Sequence, residues 1–390
     1  MTFNRCYDII LRKKRGDFVK ILVLSCNTGQ GHNSAANAIK EKFISLGHEC
    51  EIKDALRYSS KTFSKGVSTS YNKIVLHTPL AFGAGYNFSK AKTYKSGRPK
   101  SAVYAVNMSY SKKLYMDIVS EGYDAVVCTH VFPAQALTHA KHKHGLDVPI
   151  YFVATDYGYY PFCDELDITR FFVASEKVIP EYVGRGISKD IIVPSGIPVA
   201  ERFVDDMPKK LARAYLGLDP DRFICLIMSG SMGFGNIYEL IDKMIECPSD
   251  NFDILVLAGN NHKLKNGVNE TYYKHSNIGA IGFTDKVHLY MKACDLVITK
   301  PGGLSSTEAM VSNVPMILTK PIPGCETDNY NLLTELGAAL KGKTLDQAVF
   351  SFNCVLFNKN VRDEVMYCQN LYINKNAAQT ICDYIIQNSK

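Results

Sequence analysis

The chain has 390 residues, 46% hydrophobic and 21% charged, a composition that excludes a disordered protein and fits a folded globular one. That length exceeds a single comfortable core and predicts two domains. The net charge of +7 is modest, and no apolar run is long enough to cross a bilayer. The twelve cysteines show neither Cys-x-x-Cys nor a His/Cys ligand spacing, so a cytoplasmic setting and no metal site are expected.

The opening stretch, MTFNRCYDIILRKKRGDF, offers no apolar h-region and is not read as a signal peptide. Its Arg12, Lys13, Lys14 and Arg15 read as a membrane-contacting arm or a tail. Val19–Ser25 is an apolar run that predicts a buried strand, followed by the loop Asn27–Gly31 and a helix from about Asn33 to Leu46. In this loop Gly29 and Gly31 permit close backbone approach to a ligand. His32 sits where a helix dipole disfavours imidazolium, which leaves a neutral ring able to accept a proton. A general base is the favoured reading over a surface histidine that caps a turn. Ser34 stands where a dinucleotide fingerprint requires glycine, so that motif is not met.

From Ala55 to Met116 there is no Asp or Glu, against eleven Lys/Arg and ten Phe/Tyr. Tyr71, Phe82, Tyr86, Phe88, Lys90 and Lys92 belong to this window. Cations interleaved with rings suit an anionic membrane surface, ahead of a plain solvated loop or single-stranded nucleic acid. Strands are predicted at 124–128, 149–153 and 170–174. His139, His142 and His144 lie on a polar helix end rich in lysine and read as a solvated face. The turn-rich IIVPSGIP, Ile191–Pro198, precedes a domain boundary placed near 198–208.

The second half repeats the alternation, with strands at 223–228, 253–257, 295–299 and 314–318. Two doubly wound parallel α/β domains meeting at a cleft are expected, with ligands outside the carboxyl ends of the strands. The loop Ser229–Asn236 is a plausible diphosphate cradle through Ser231, Met232 and Gly233. In KPGGLSSTEAM, Lys300–Met310, a strand breaks at Pro-Gly-Gly and a helix starts. Bare N–H groups at Gly302 and Gly303 then form an anion site, and Glu308 is placed to accept from a ribose diol. Downstream, Glu326, Asp328 and Asn329 at another helix start either read sugar hydroxyls or cap the helix.

Taken together, TGQGH, VATDY, SGIPV, KPGGLSSTEA and KPIPGCETDN resemble the family of monogalactosyldiacylglycerol synthases and processive diacylglycerol glucosyltransferases. More distantly they resemble the enzyme that adds N-acetylglucosamine to lipid I. The resemblance implies a GT-B fold of two Rossmann-like domains: an acceptor domain at 1–203, a UDP-sugar domain at 204–372, and a C-terminal helix at 373–390 packed back on the first. It implies an inverting, metal-independent hexose transfer from UDP-glucose or UDP-galactose to diacylglycerol at an anionic membrane surface, with the protein peripheral on the inner face of the cell membrane. His32 matches the family's base, Gly302 and Gly303 its diphosphate loop, and Glu308 its ribose acid. Ser231 and Gly233 fall in the second-domain glycine loop, and Asp328 and Asn329 where the donor sugar is read. Gly29 and Gly31 are assigned with the donor loops, and Asp156 with the acceptor. Cys325 stands where the family often has Gln, and the Trp-His usual after the Asp-Tyr is missing. A lipid I N-acetylglucosaminyltransferase, a UDP-sugar 2-epimerase and a non-catalytic UDP-sugar-binding membrane protein are the rival expectations.

Overall fold

The computed structural model describes residues 18–27, 29–59, 79–91, 100–228 and 237–389, with backbone alone for 79–82 and 91. The chain divides into two compact units, Met1–Glu201 with Asn374–Lys390, and Arg202–Ile373.

The first unit contains β1 (Lys20–Ser25), α1 (Gln30–Ser45), β2 (Glu49–Asp54), α2 (Pro79–Ala91), α3 (Ala102–Met108), α4 (Ser111–Glu121), β3 (Ala125–Cys128), α5 (Val131–His144), β4 (Ile150–Val153), β5 (Arg170–Phe172) and β6 (Ile192–Val193). The strands pair in parallel in the order β2-β1-β3-β4-β5-β6. Parallel strands need crossover connections, which cover both sheet faces, so the inner strands read as continuous apolar runs. Ile21 to Leu24 are all fully buried, as are Ala125 to Cys128. Helix α1 turns Ala35, Ala36, Ala38, Ile39 and Phe43 inward and ends where Gly47 takes φ 87°.

The second unit contains α6 (Lys209–Leu216), β7 (Phe223–Met228), α7 (Ile237–Ile245), β8 (Phe252–Gly259), α8 (His262–Thr271), β9 (Ile278–Gly282), α9 (Val287–Ala293), β10 (Leu296–Thr299), α10 (Gly303–Val311), β11 (Met316–Thr319), α11 (Cys325–Glu335), β12 (Leu340–Gly342), α12 (Leu345–Phe357) and α13 (Lys359–Tyr372). Its parallel order is β12-β11-β10-β7-β8-β9. At the head of β10, Asp295 accepts from the Ile224 amide at 2.8 Å and pairs with the buried Arg213 at 2.6 Å.

In each sheet the winding reverses once, between β1 and β3 and between β7 and β10. Those two points are where crevices open beyond the carboxyl ends of the strands.

A final helix, Ala377–Asn388, belongs to the first unit. Its Ile381, Cys382 and Ile385 join the core formed by β1, β3 and α1. The seat for its start is Gly196 of the SGIP turn. Gly196 has φ 85°, and a Cβ there would stand 3.0 Å from Ala377 Cβ and 3.1 Å from Asn374 Cβ. The Asn374 amide donates to the Ser195 carbonyl at 2.8 Å beside it. Both the left-handed backbone and the close approach exclude a side chain. Gly196→Ala is expected to cost about 1–3 kcal/mol, read as an earlier urea-unfolding transition of the first unit.

Candidate active site

In the first unit the β1–α1 loop is tied at both ends. Ser25 Oγ donates to Asn33 Oδ1 at 2.6 Å, Asn33 Nδ2 donates to Asn27 Oδ1 at 2.9 Å, and Asn27 Nδ2 donates to Asp54 Oδ2 at 3.1 Å. Gly29 is the extended N-cap of α1, and Gly31 and His32 follow in its first turn. His32 thus lies at the sheet's reversal point.

Two groups from other strands meet its ring. Nδ1 lies 2.8 Å from the Thr129 carbonyl and 3.0 Å from Thr155 Oγ1. A carbonyl only accepts, so Nδ1 carries the hydrogen and Nε2 the lone pair. The ring edge still reaches solvent, but protein packs densely around it. That burial pulls its pKa from 6.5 to about 4, against the Thr129 hydrogen bond, which favours the cation. The imidazole is therefore neutral at physiological pH, oriented, and able to take a proton at Nε2.

Thr129, His130, Thr155 and Tyr160 complete this site; Thr155 belongs to the VATDY segment, while Thr129, His130 and Tyr160 lie in none of the motifs. Thr129 and His130 follow β3 directly, so the rule that ligands gather at strand carboxyl ends was the available signal. Asp156 lies next to Thr155, half-buried. From α2, Tyr86 Oη donates to the Tyr159 carbonyl at 3.4 Å, and Lys90 pairs with Glu181 at 3.4 Å. Glu181 also accepts from the Tyr159 amide at 2.9 Å, so α2 is fastened to the loop that carries Tyr160. Phe88 projects outward, 64% exposed. Tyr71, Lys92 and the side chain of Phe82 lie outside the described residues.

In the second unit β10 ends at Thr299, and the Gly302 amide turns back to the Lys300 carbonyl at 2.8 Å. Gly302 is the N-cap of α10 and Gly303 its first residue, with no acidic side chain in the first turn. The first-turn amides have no intrahelical acceptor, which leaves them for an anion at the positive end of the dipole. Helix α11 braces this loop. Asn329, fully buried, donates from Nδ2 to the Pro301 carbonyl at 2.9 Å. Glu326 pairs with Lys300 and accepts from the Ile322 amide at 2.9 Å. These two side chains build the turn, while Asp328 sits half-buried in the same first turn of α11. Glu308 lies one turn further along α10. Burial raises its carboxyl from 4.5 to about 8, partly offset by Arg202. Ser231, Met232 and Gly233 lie outside the described residues.

Among the described residues, no group of three or more His, Cys, Asp or Glu side chains could hold a metal ion, and no helix is long and apolar enough to cross a membrane. His142 pairs with Asp167 at 3.0 Å.

Two parallel α/β units, each with a glycine-started helix at its sheet's reversal point, make up the GT-B fold. Solved structures agree on the fold. The chain superposes on Acinetobacter baumannii MurG with TM-score 0.60 at 15% identity, covering 95% of this chain and 99% of that one. It superposes on a UDP-GlcNAc 2-epimerase from Neisseria meningitidis with TM-score 0.61 at 13% identity, covering 94% and 99%. Residues 32–199 match the monogalactosyldiacylglycerol (MGDG) synthase model, and 224–367 match the glycosyltransferase family 28 C-terminal domain. A processive diacylglycerol beta-glucosyltransferase of Bacillus pumilus is 26% identical over 382 residues, 95% of each chain. The chain belongs to this MGDG synthase and family 28 group of glycosyltransferases, and it is an enzyme.

Because Nδ1 holds the ring hydrogen, the His32 imidazole signals should stay those of a neutral Nδ1–H ring from pH 5.5 to 8 in ¹⁵N-resolved NMR. A midpoint near 6.5 would contradict the burial argument. Asn329→Leu leaves the Pro301 carbonyl without its donor and should lower stability by about 1–3 kcal/mol in denaturant unfolding.

Proposed function

We propose that the enzyme transfers a hexose, glucose or galactose, from a UDP-sugar to the hydroxyl of diacylglycerol or a glycosyl-diacylglycerol, with inversion, at a membrane surface. The observation that carries this reading is the tautomer of His32. The acceptor O–H gives its proton to Nε2 as its oxygen bonds to the sugar C1. The bond from C1 to the diphosphate oxygen breaks, and UDP departs as an anion. Attack from the face opposite UDP inverts the anomeric centre. The Thr129 carbonyl then faces an imidazolium, whose Nδ1–H it binds more strongly.

The developing diphosphate charge calls for fixed donors, and the first-turn amides of α10 at Gly302 and Gly303 supply them together with the helix dipole. Glu308 suits the ribose diol. A carboxyl that is neutral when empty becomes a good acceptor once two hydroxyl donors replace the water it lacks. In this reading the leaving charge is met by N–H groups and dipoles, without a metal.

For the lipid side, the described part of the acid-free window supports an interfacial surface. Phe88, Val106 and Met116 are exposed, as are Lys112 and Lys113. Apolar groups interleaved with cations match the boundary between acyl chains and anionic headgroups.

Labelled UDP-glucose, UDP-galactose and UDP-N-acetylglucosamine, each offered with diacylglycerol liposomes and separately with lipid I, test the reading. A labelled glycolipid supports it. Epimerised free nucleotide points to the epimerase chemistry, and product with lipid I alone to the peptidoglycan reaction. His32→Ala should lower kcat by about 10²–10⁴ while UDP still binds, and retained turnover overturns the base assignment.

Glu308 adds a pH test. Its carboxyl ionises only as pH rises through about 8, and ribose hydroxyls favour the ionised form. UDP should bind about tenfold tighter at pH 9 than at pH 7, with proton release seen by calorimetry, and Glu308→Gln should flatten the dependence.

A further inference from the structure

We infer that His130 is a positioning residue for the transfer, one that leaves His32 Nε2 as the single ring nitrogen of a histidine pair able to take the acceptor's proton. The inference rests on the reading of His32 as the base. His130 is 3% exposed, and its two nitrogens are both engaged. The Phe132 amide donates to His130 Nδ1 at 3.2 Å, capping α5. An amide only donates, so Nδ1 holds a lone pair and the ring hydrogen is on Nε2. Nε2 in turn donates to Tyr160 Oη at 3.2 Å. A second proton would have to enter at Nδ1, directly against the Phe132 N–H.

His32 has the opposite tautomer, fixed by the carbonyl of the preceding residue, Thr129. One turn after β3 therefore supplies both the acceptor that orients the base and the ring that stands beside it. The two imidazoles meet edge to face, with centroids 4.7 Å apart and planes at 80°. Tyr160 packs edge-on against both, at 6.3 Å from His32 and 5.7 Å from His130. His32 and Tyr160 are titratable groups that face His130.

The arrangement does two things. It covers a flank of His32 with a ring that stays uncharged, so the imidazolium formed during transfer has no cation beside it. It also excludes water from that flank, and exclusion of water is what makes the resting base neutral. His130 itself is held well below its ordinary pKa by burial and then by His32.

His130→Asn separates this role from helix capping, because asparagine is a good N-cap and keeps an acceptor for the Phe132 amide. The thermal midpoint and UDP affinity should stay near those of the parent. The acid limb of kcat against pH should move up by about one unit as water reaches His32. Tyr160→Phe, which keeps the ring and removes the Oη anchor, should move the acid limb in the same direction. In the parent enzyme, ¹⁵N NMR at pH 6 should show His130 as a neutral Nε2–H ring. A protonated or Nδ1–H His130, or an Asn variant with the parental rate and pH profile, overturns the inference. Transfer retained by His32→Ala would instead overturn the base reading, while the ring tautomers are still read by NMR without any turnover.

Discussion

A parallel strand can be followed by its neighbour only after the chain crosses back to the starting edge, and the rest of this protein depends on that constraint. The crossovers bury both faces of each sheet, which is why Ile21–Leu24 and Leu296–Ile298 are fully enclosed. They also deliver every loop that follows a strand to the same edge. Where the winding reverses, adjacent loops splay apart, and the groups with chemistry sit at those two places. In the first unit they are His32 after β1 and Thr129 with His130 after β3. In the second they are Lys300 to Gly303 after β10.

Burial then acts on the two titratable groups in opposite senses with one result. It lowers His32 and raises Glu308, so both are neutral in the empty protein at neutral pH. Each faces a partner suited to the charge it would acquire: the Thr129 carbonyl for an imidazolium, and Arg202 for a carboxylate. A dry, oriented and uncharged group gains more from its ligand than a solvated one, because no water shell has to be removed when the ligand arrives.

The same surroundings show why polar residues near a helix start are hard to interpret from their pattern. Glu326 and Asn329 are the residue types that read sugar hydroxyls. Here Glu326 joins Lys300 to the Ile322 amide, and Asn329 holds the Pro301 carbonyl. Gly196 resembles a ligand-approach glycine, yet the neighbours it admits are Asn374 and Ala377 at the start of the final helix. Bracing a loop and binding a ligand both call for short polar or absent side chains at a turn.

By itself the sequence determined the α/β class, the eight inner strands, and the glycines that start the helices after β1 and β10, since each is written in a local run of residues. The strands it did not reveal are β2, β6, β9 and β12, the four edge strands of the two sheets. An edge strand has one neighbour and needs no continuous apolar run: β2 alternates, β9 is Ile-Gly-Ala-Ile-Gly, and β6 and β12 are two and three residues long. Only the tertiary structure decided which nitrogen of His32 holds the proton and that a second histidine stands beside it. Those facts hang on Thr129 and Thr155, which are 97 and 123 positions from His32. No local periodicity encodes a hydrogen bond across such a separation; the folded sheet brings its partners together.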